Sequence, residues 1–127
     1  MSKLVLIFLG SGLGGVCRYV LSGWAQRFGS ASFPVGTLMV NVLGCLAIGF
    51  LSAAFMGRWF IREEHRIAVV VGVIGGFTTF SAFGMETFAL LNDGQYFRAA
   101  TNATLSVVLG LAAVWVGYRL AEGWLGA

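Results

Sequence analysis

Residues suited to handling an ion cluster in one run, Gly72-Val73-Ile74-Gly75-Gly76-Phe77-Thr78-Thr79-Phe80-Ser81-Ala82-Phe83-Gly84-Met85-Glu86. Two glycines followed closely by two β-branched threonines make a poor continuous helix. The run therefore predicts a helix broken near Gly75–Thr79. A break frees backbone carbonyls, which a membrane tolerates only where protein or a water-filled cavity satisfies them. Turned inward, such carbonyls are hard oxygen ligands for a small cation. The alternative is a kink satisfied by the Thr78 and Thr79 hydroxyls. Beyond the break, Phe80 and Phe83 are three apart and share a helix face. Aromatic rings have electropositive edges, so two rings turned edge-on would line a route for an anion. Taken singly, either ring would read as ordinary core or lipid-facing packing. Glu86 and Thr79 lie close to the same face.

Other polar residues sit in apolar surroundings, where they are expensive and mark candidate sites. Asn41 lies in a charge-free stretch with Thr37 one turn before it. Its amide N–H groups can donate to an anion, or its oxygen can cap a neighbouring backbone. Arg18 is the single charge in Leu4–Gln26. It would draw anions into a vestibule or reach for lipid head groups. Glu86 can be a hydrogen-bond acceptor, a proton carrier or an interfacial group. Asn102 and Ser106, four apart, read best as polar contacts between helices.

These residues need elements to hold them, and composition says which. Of 127 residues, 58% are hydrophobic and only 10% charged, against about 25% charged in soluble domains. So small a domain leaves much surface to cover, and this composition covers it with apolar groups; the solvent is lipid. Disorder is excluded on the same ground. A helix needs roughly 20 apolar residues to cross a bilayer. Four stretches qualify: Leu4 to Gln26, Phe28 to Gly57, Ile67 to Met85 with continuation to Leu91, and Ala99 to Tyr118. In lipid each must satisfy its own backbone as a helix. The expectation is one all-α integral membrane domain over residues 1–127, with helices at about 3–27, 34–58, 64–91 and 96–122. Pro34 suits the first turn of the second helix. Glu63 and Glu64 suit the dipole at the start of the third, and Asn92-Asp93-Gly94-Gln95 is a turn. Gly10/Gly14, Gly72/Gly76 and Gly110/Ala113/Gly117 form small-residue faces for close packing in lipid. Several such faces on four helices suggest an oligomer.

An even number of spans puts both termini on one side. Lys3, Arg58, Arg62, Arg66 and Arg119 would share it, with Arg27 and Arg98 opposite, a bias favouring termini inside. The net charge of +3 is too small and dispersed for nucleic acid. Cys17 and Cys45 sit in apolar runs and read as small buried hydrophobes. With His65 the only histidine and no CxxC, neither a disulfide framework nor a side-chain metal site is expected. The start Lys3-Leu4-Val5-Leu6 is not read as a signal peptide, because no small-residue cleavage site follows.

Three motifs in order, Gly14-Gly15-Val16-Cys17-Arg18-Tyr19, Phe33-Pro34-Val35-Gly36-Thr37-Leu38-Met39-Val40-Asn41-Val42-Leu43-Gly44, and Gly75-Gly76-Phe77-Thr78-Thr79-Phe80-Ser81 with Phe83 and Glu86, resemble the Fluc (CrcB) fluoride channels over essentially the whole chain. The resemblance implies an antiparallel, dual-topology homodimer in the bacterial inner membrane. It implies two fluoride pathways and a central structural sodium ion on the backbone carbonyls of Gly75 and Thr78. By motif position the aromatic box falls on Phe80 and Phe83, the pore asparagine on Asn41 and the vestibule arginine on Arg18. Ser81, Thr79, Thr37 and Glu86 fall on or beside the polar track. The family often has Thr or Ser where this chain has Ala82, which removes one donor from that track. Asn41, Ser81 and Thr79 would then join the two ring edges in replacing fluoride's water shell. No ATP-binding loop is visible, so movement should be passive. One rival is a four-helix drug–proton antiporter, but it needs a carboxylate in its first helix, and Leu4–Gln26 has none. A purely structural membrane protein would explain the glycines but not the polar residues beside the phenylalanines. No nucleophile, base and orienting group can be assembled into an enzyme.

Overall fold

A computed structural model describes residues 2–30, 32–57 and 59–126. The chain forms α1 (Ser2–Gln26), α2 (Val35–Met56), a third span and α6 (Tyr96–Leu125). The third span, Glu63–Asn92, is composite: α3 (Glu63–Ile67), a π-helical segment (Ala68–Ile74), α4 (Gly75–Phe77) and α5 (Phe80–Asn92). Four helical spans are long and apolar enough to cross a membrane, and no strand occurs among the described residues. Arg58, expected at the end of the second helix and counted in the charge bias, lies outside the described residues.

The helices pack through their small residues. The fully or nearly buried side chains are mostly alanines, Ala25, Ala53, Ala54, Ala99 and Ala121 among them, while Phe8, Tyr19, Phe28 and Phe97 point outward. In lipid, exposing large apolar groups costs nothing, and close backbone approach drives association instead. The glycine faces carry this out. Gly10 and Gly14 of α1 lie against Ala68, Gly72 and Val73, and Gly76 lies against the Ser11 backbone. Gly117 of α6 meets the Leu46 backbone, and Gly49 of α2 meets Val114. Two pairs result, α1 on the third span and α2 on α6.

Local chemistry sets the ends. Pro34 precedes the first helical residue of α2, and its carbonyl accepts from the Leu38 N–H at 3.2 Å. Glu63 and Glu64 occupy the first turn of α3, the favourable end of its dipole. Gly94 has φ +76°, which closes the α5–α6 turn in a conformation glycine adopts without a Cβ penalty. Gln26 organises the α1–α2 connection. Its Nε2 donates to the Ser30 and Phe33 carbonyls, both at 2.9 Å, and its Oε1 accepts from the Gly36 N–H at 3.0 Å.

The third span is interrupted within the expected stretch, at its C-terminal end. Gly75 and Gly76 remain helical, and the break is confined to Thr78 (ψ 158°) and Thr79 (φ −152°, ψ 118°). Gly76 is held in its helix by close contact with α1 at Ser11. The β-branched threonines take the extended conformation their χ1 stiffness favours.

Candidate functional site

The Thr78–Thr79 break is pinned from three directions. From α2, Asn41 pairs with the Thr79 backbone twice: its Nδ2 donates to the Thr79 carbonyl at 2.9 Å and its Oδ1 accepts the Thr79 N–H at 2.8 Å. From α1, the Arg18 Nε donates to the Gly76 carbonyl at 3.2 Å. From within, the Thr79 hydroxyl accepts the Ala82 N–H at 3.1 Å and caps α5, while the Thr78 hydroxyl donates to the Ile74 carbonyl at 3.1 Å. A helix restarted in lipid must satisfy its first N–H groups, and a threonine cap does so. Both alternatives posed by the sequence thus coexist: Thr78 satisfies the kink, and a carbonyl is still released.

That carbonyl belongs to Gly75. Its ordinary helical donor is the Thr79 N–H, four residues on, and this donor is committed to Asn41. Gly75 is exposed on the surface of the single chain. Gly75 and Thr78 both line an open groove of about 490 Å³, together with Asn41, Thr79, Phe80, Phe83 and Ser106. Backbone carbonyls are hard oxygen donors of the kind that suit a hard cation. One chain offers too few for a complete shell, since such ions take about six oxygens or more.

Phe80 and Phe83 meet at 5.6 Å between centroids with planes inclined by 42°. Phe80 is 83% exposed, so apart from Phe83 most of its ring is left uncovered by its own chain. Ser81 is exposed, 3.3 Å from the Thr79 hydroxyl. A second open groove, about 690 Å³, runs on the α1 side of the break and is lined by Ser11, Arg18, Ser22, Thr37, Thr79 and Ala82. Thr79 borders both grooves. The Thr37 hydroxyl donates to the Glu86 carboxylate at 2.5 Å, so Glu86 is tied to α2 rather than free at the interface. Glu86 also borders a third groove with Gln26, Asp93 and Gln95.

The residues proposed from the sequence gather around the break. Asn41 acts first as a backbone mimic, with one amide N–H uncommitted. Arg18 acts as a charged cap on a helix end, and its remaining N–H groups border the α1-side groove. Asn102 and Ser106 part company: Asn102 bonds Thr87, and Ser106 borders the Phe80 groove. Gln26 and Thr87 were not singled out by sequence reasoning. A polar side chain between two helix ends was the signal for Gln26; Thr87, one turn past Phe83, carried none that sets it apart.

A broken helix with aromatic and hydroxyl groups beside the break, set among four membrane-length spans, defines a small polytopic membrane protein. A family model described as "CrcB-like protein, Camphor Resistance (CrcB)" matches residues 5–118. The chain is 43% identical over 122 residues to a fluoride-specific ion channel FluC of Geobacter metallireducens, covering 96% of this chain and 98% of that one. It is 46% identical over 125 residues to the one of Opitutus terrae (97% and 95% covered) and 44% over 127 residues to the one of Chloroflexus aurantiacus (99% of each). The chain belongs to the CrcB family. It is a multi-pass membrane protein of a channel family and not an enzyme. The antiporter reading falls with this assignment.

Proposed function

We propose that the chain forms a passive fluoride channel in the bacterial inner membrane, as an antiparallel homodimer with two pores and a central structural sodium ion. The relatives are named fluoride-specific ion channels. The observation that carries the reading is the pinned break itself: Asn41 holds Thr79 extended, and Phe80 projects from the next residue almost fully exposed. An aromatic ring beside released carbonyls and uncommitted donors is an incomplete site, and a second copy completes it. Opposite orientation of the two copies lets the same face supply both halves of an isologous contact.

Fluoride is compact and strongly hydrated, so a pore must replace its water with donors of comparable strength. In this chain those are the free Asn41 N–H, the Ser81 and Thr79 hydroxyls, and the edges of Phe80 and Phe83. Arg18 gathers anions at the α1-side groove, and Thr37 with Glu86 continues the polar line toward the α5–α6 end. The Gly75 and Thr78 carbonyls, with those of the partner, hold sodium. The ion's charge offsets the released carbonyls and adds fixed positive potential near the anion route. Movement is downhill, carrying fluoride out of the cell.

The test is ion efflux from liposomes reconstituted with purified protein, loaded with fluoride or with chloride. Fluoride is expected to leave and chloride to stay. Equal release of both, or of neither, rejects the proposal.

A further inference from the structure

We propose that Asn102 is a positioning residue for Phe83, acting through the Thr87 hydroxyl. Among the described residues Asn102 is the one polar side chain that is buried, at 2% exposure. Its Nδ2 donates to Thr87 Oγ1 at 2.9 Å, and the Thr87 hydroxyl donates in turn to the Phe83 carbonyl at 2.7 Å. The relay runs from α6, across the helix interface, to the backbone of the residue that carries the second ring.

The relay decides a conformation. A threonine in a helix divides between two χ1 rotamers, because one of them lets its hydroxyl bond a carbonyl one turn back. A buried donor aimed at Thr87 Oγ1 selects that rotamer. The Phe83 carbonyl already serves the helix ladder, and an added hydroxyl at such a carbonyl bends the helix locally. Phe83 therefore takes its inclination to Phe80, at 42° and 5.6 Å, from a bond made one turn further along the same face of α5. The α2 contacts, Asn41 to Thr79 and Thr37 to Glu86, hold this stretch from a second helix. Asn102 is the side chain by which α6 holds this stretch of α5 through a polar contact. Its burial makes the bond strong in place and costly to leave unmade.

This inference rests on the channel reading only for its effect on flux; the position of the ring is tested separately. The full chain is labelled with 4-fluorophenylalanine, and the Phe83 ¹⁹F resonance is assigned by its disappearance in Phe83→Ile. Thr87→Val and Asn102→Ala should each move that resonance in the same direction. Thr87→Ser, which keeps the hydroxyl, should leave it in place. In liposomes Thr87→Val should slow fluoride efflux about tenfold and change the fluoride-to-chloride ratio, with Thr87→Ser near the unaltered protein. A stationary Phe83 resonance in both Thr87→Val and Asn102→Ala overturns the inference, as does a Thr87→Ser protein that behaves like Thr87→Val. If the unaltered protein fails to conduct fluoride, the channel reading fails and the resonance still decides the role of Asn102.

Discussion

Asn41 and Thr79, 38 residues apart, are joined by two hydrogen bonds that reproduce a backbone–backbone pairing, at 2.8 and 2.9 Å. The asparagine amide stands in for a peptide group. It satisfies the carbonyl and the N–H that the broken helix leaves behind, and by taking the N–H it releases the Gly75 carbonyl. One side chain therefore connects the fold of the third span to the ligands proposed for sodium.

Asn41→Asp removes the donor and sets a carboxylate against the Thr79 carbonyl. The pair changes from complementary to repulsive, and the anion route gains a negative charge. Fluoride efflux should fall to background. Thermal stability in detergent should drop as well, by about 1–3 kcal/mol for the group left unpaired. Efflux at the unaltered rate would place Asn41 outside the conduction route.

Phe80→Ile tests the aromatic route without disturbing the chain's own packing. Phe80 contributes little to the single chain's interior, since 83% of it is exposed. The variant should retain helical content by circular dichroism and lose most fluoride efflux. Because isoleucine has no electropositive ring edge, undiminished flux would remove the ring edge from the mechanism.

Gly44→Ala probes the break from α2. A Cβ there collides with the Thr78 Cγ2 methyl and also approaches Phe77 Cδ2, at 3.6 Å. Overpacking of this kind costs about 1–3 kcal/mol, and it pushes directly on a proposed sodium ligand. Lower thermal stability and slower efflux are expected together. Combining it with Thr78→Ser, which deletes the obstructing methyl, should restore both; failure to restore either would show that the damage lies elsewhere on α2.

The gross architecture was open to sequence reasoning because it follows from spacing. Charges separate four apolar lengths, and Gly10/Gly14 and Gly72/Gly76 recur at the interval of one helix face; the structure packs those two faces together. Gly75-Gly76 followed by Thr78-Thr79 announced an interruption, and the structure narrows it to the threonines. The Asn41 cap and the threonine hydroxyls were open to the sequence as alternatives, but other contacts were not legible. Arg18 reaches a carbonyl 58 residues away, and Gln26 gathers two carbonyls and an N–H around a turn. Bonds from a side chain to a distant backbone atom leave no period and no motif. They depend on where a neighbouring helix happens to expose its polar backbone.

Arg18 separates two roles that the sequence could not distinguish. As a vestibule charge alone, it would be replaceable by lysine, which carries the same charge. As the cap on Gly76 it uses its Nε while presenting the rest of the guanidinium to the groove. The lysine ammonium is a single compact donor group without the fixed fork of arginine, so it serves the carbonyl or the groove but not both in the same geometry. Arg18→Lys should therefore slow fluoride efflux several-fold, and Arg18→Ala, which also uncovers the Gly76 carbonyl, should slow it further and lower the melting temperature. The Ala variant's stability loss should be about 1 kcal/mol, since the acceptor stripped of its charged donor is only part-buried. Thermal melts and liposome efflux on the same preparations measure both. Equal efflux from Arg18→Lys and the unaltered chain, with no change in melting for Arg18→Ala, would reduce Arg18 to a diffuse electrostatic attractor.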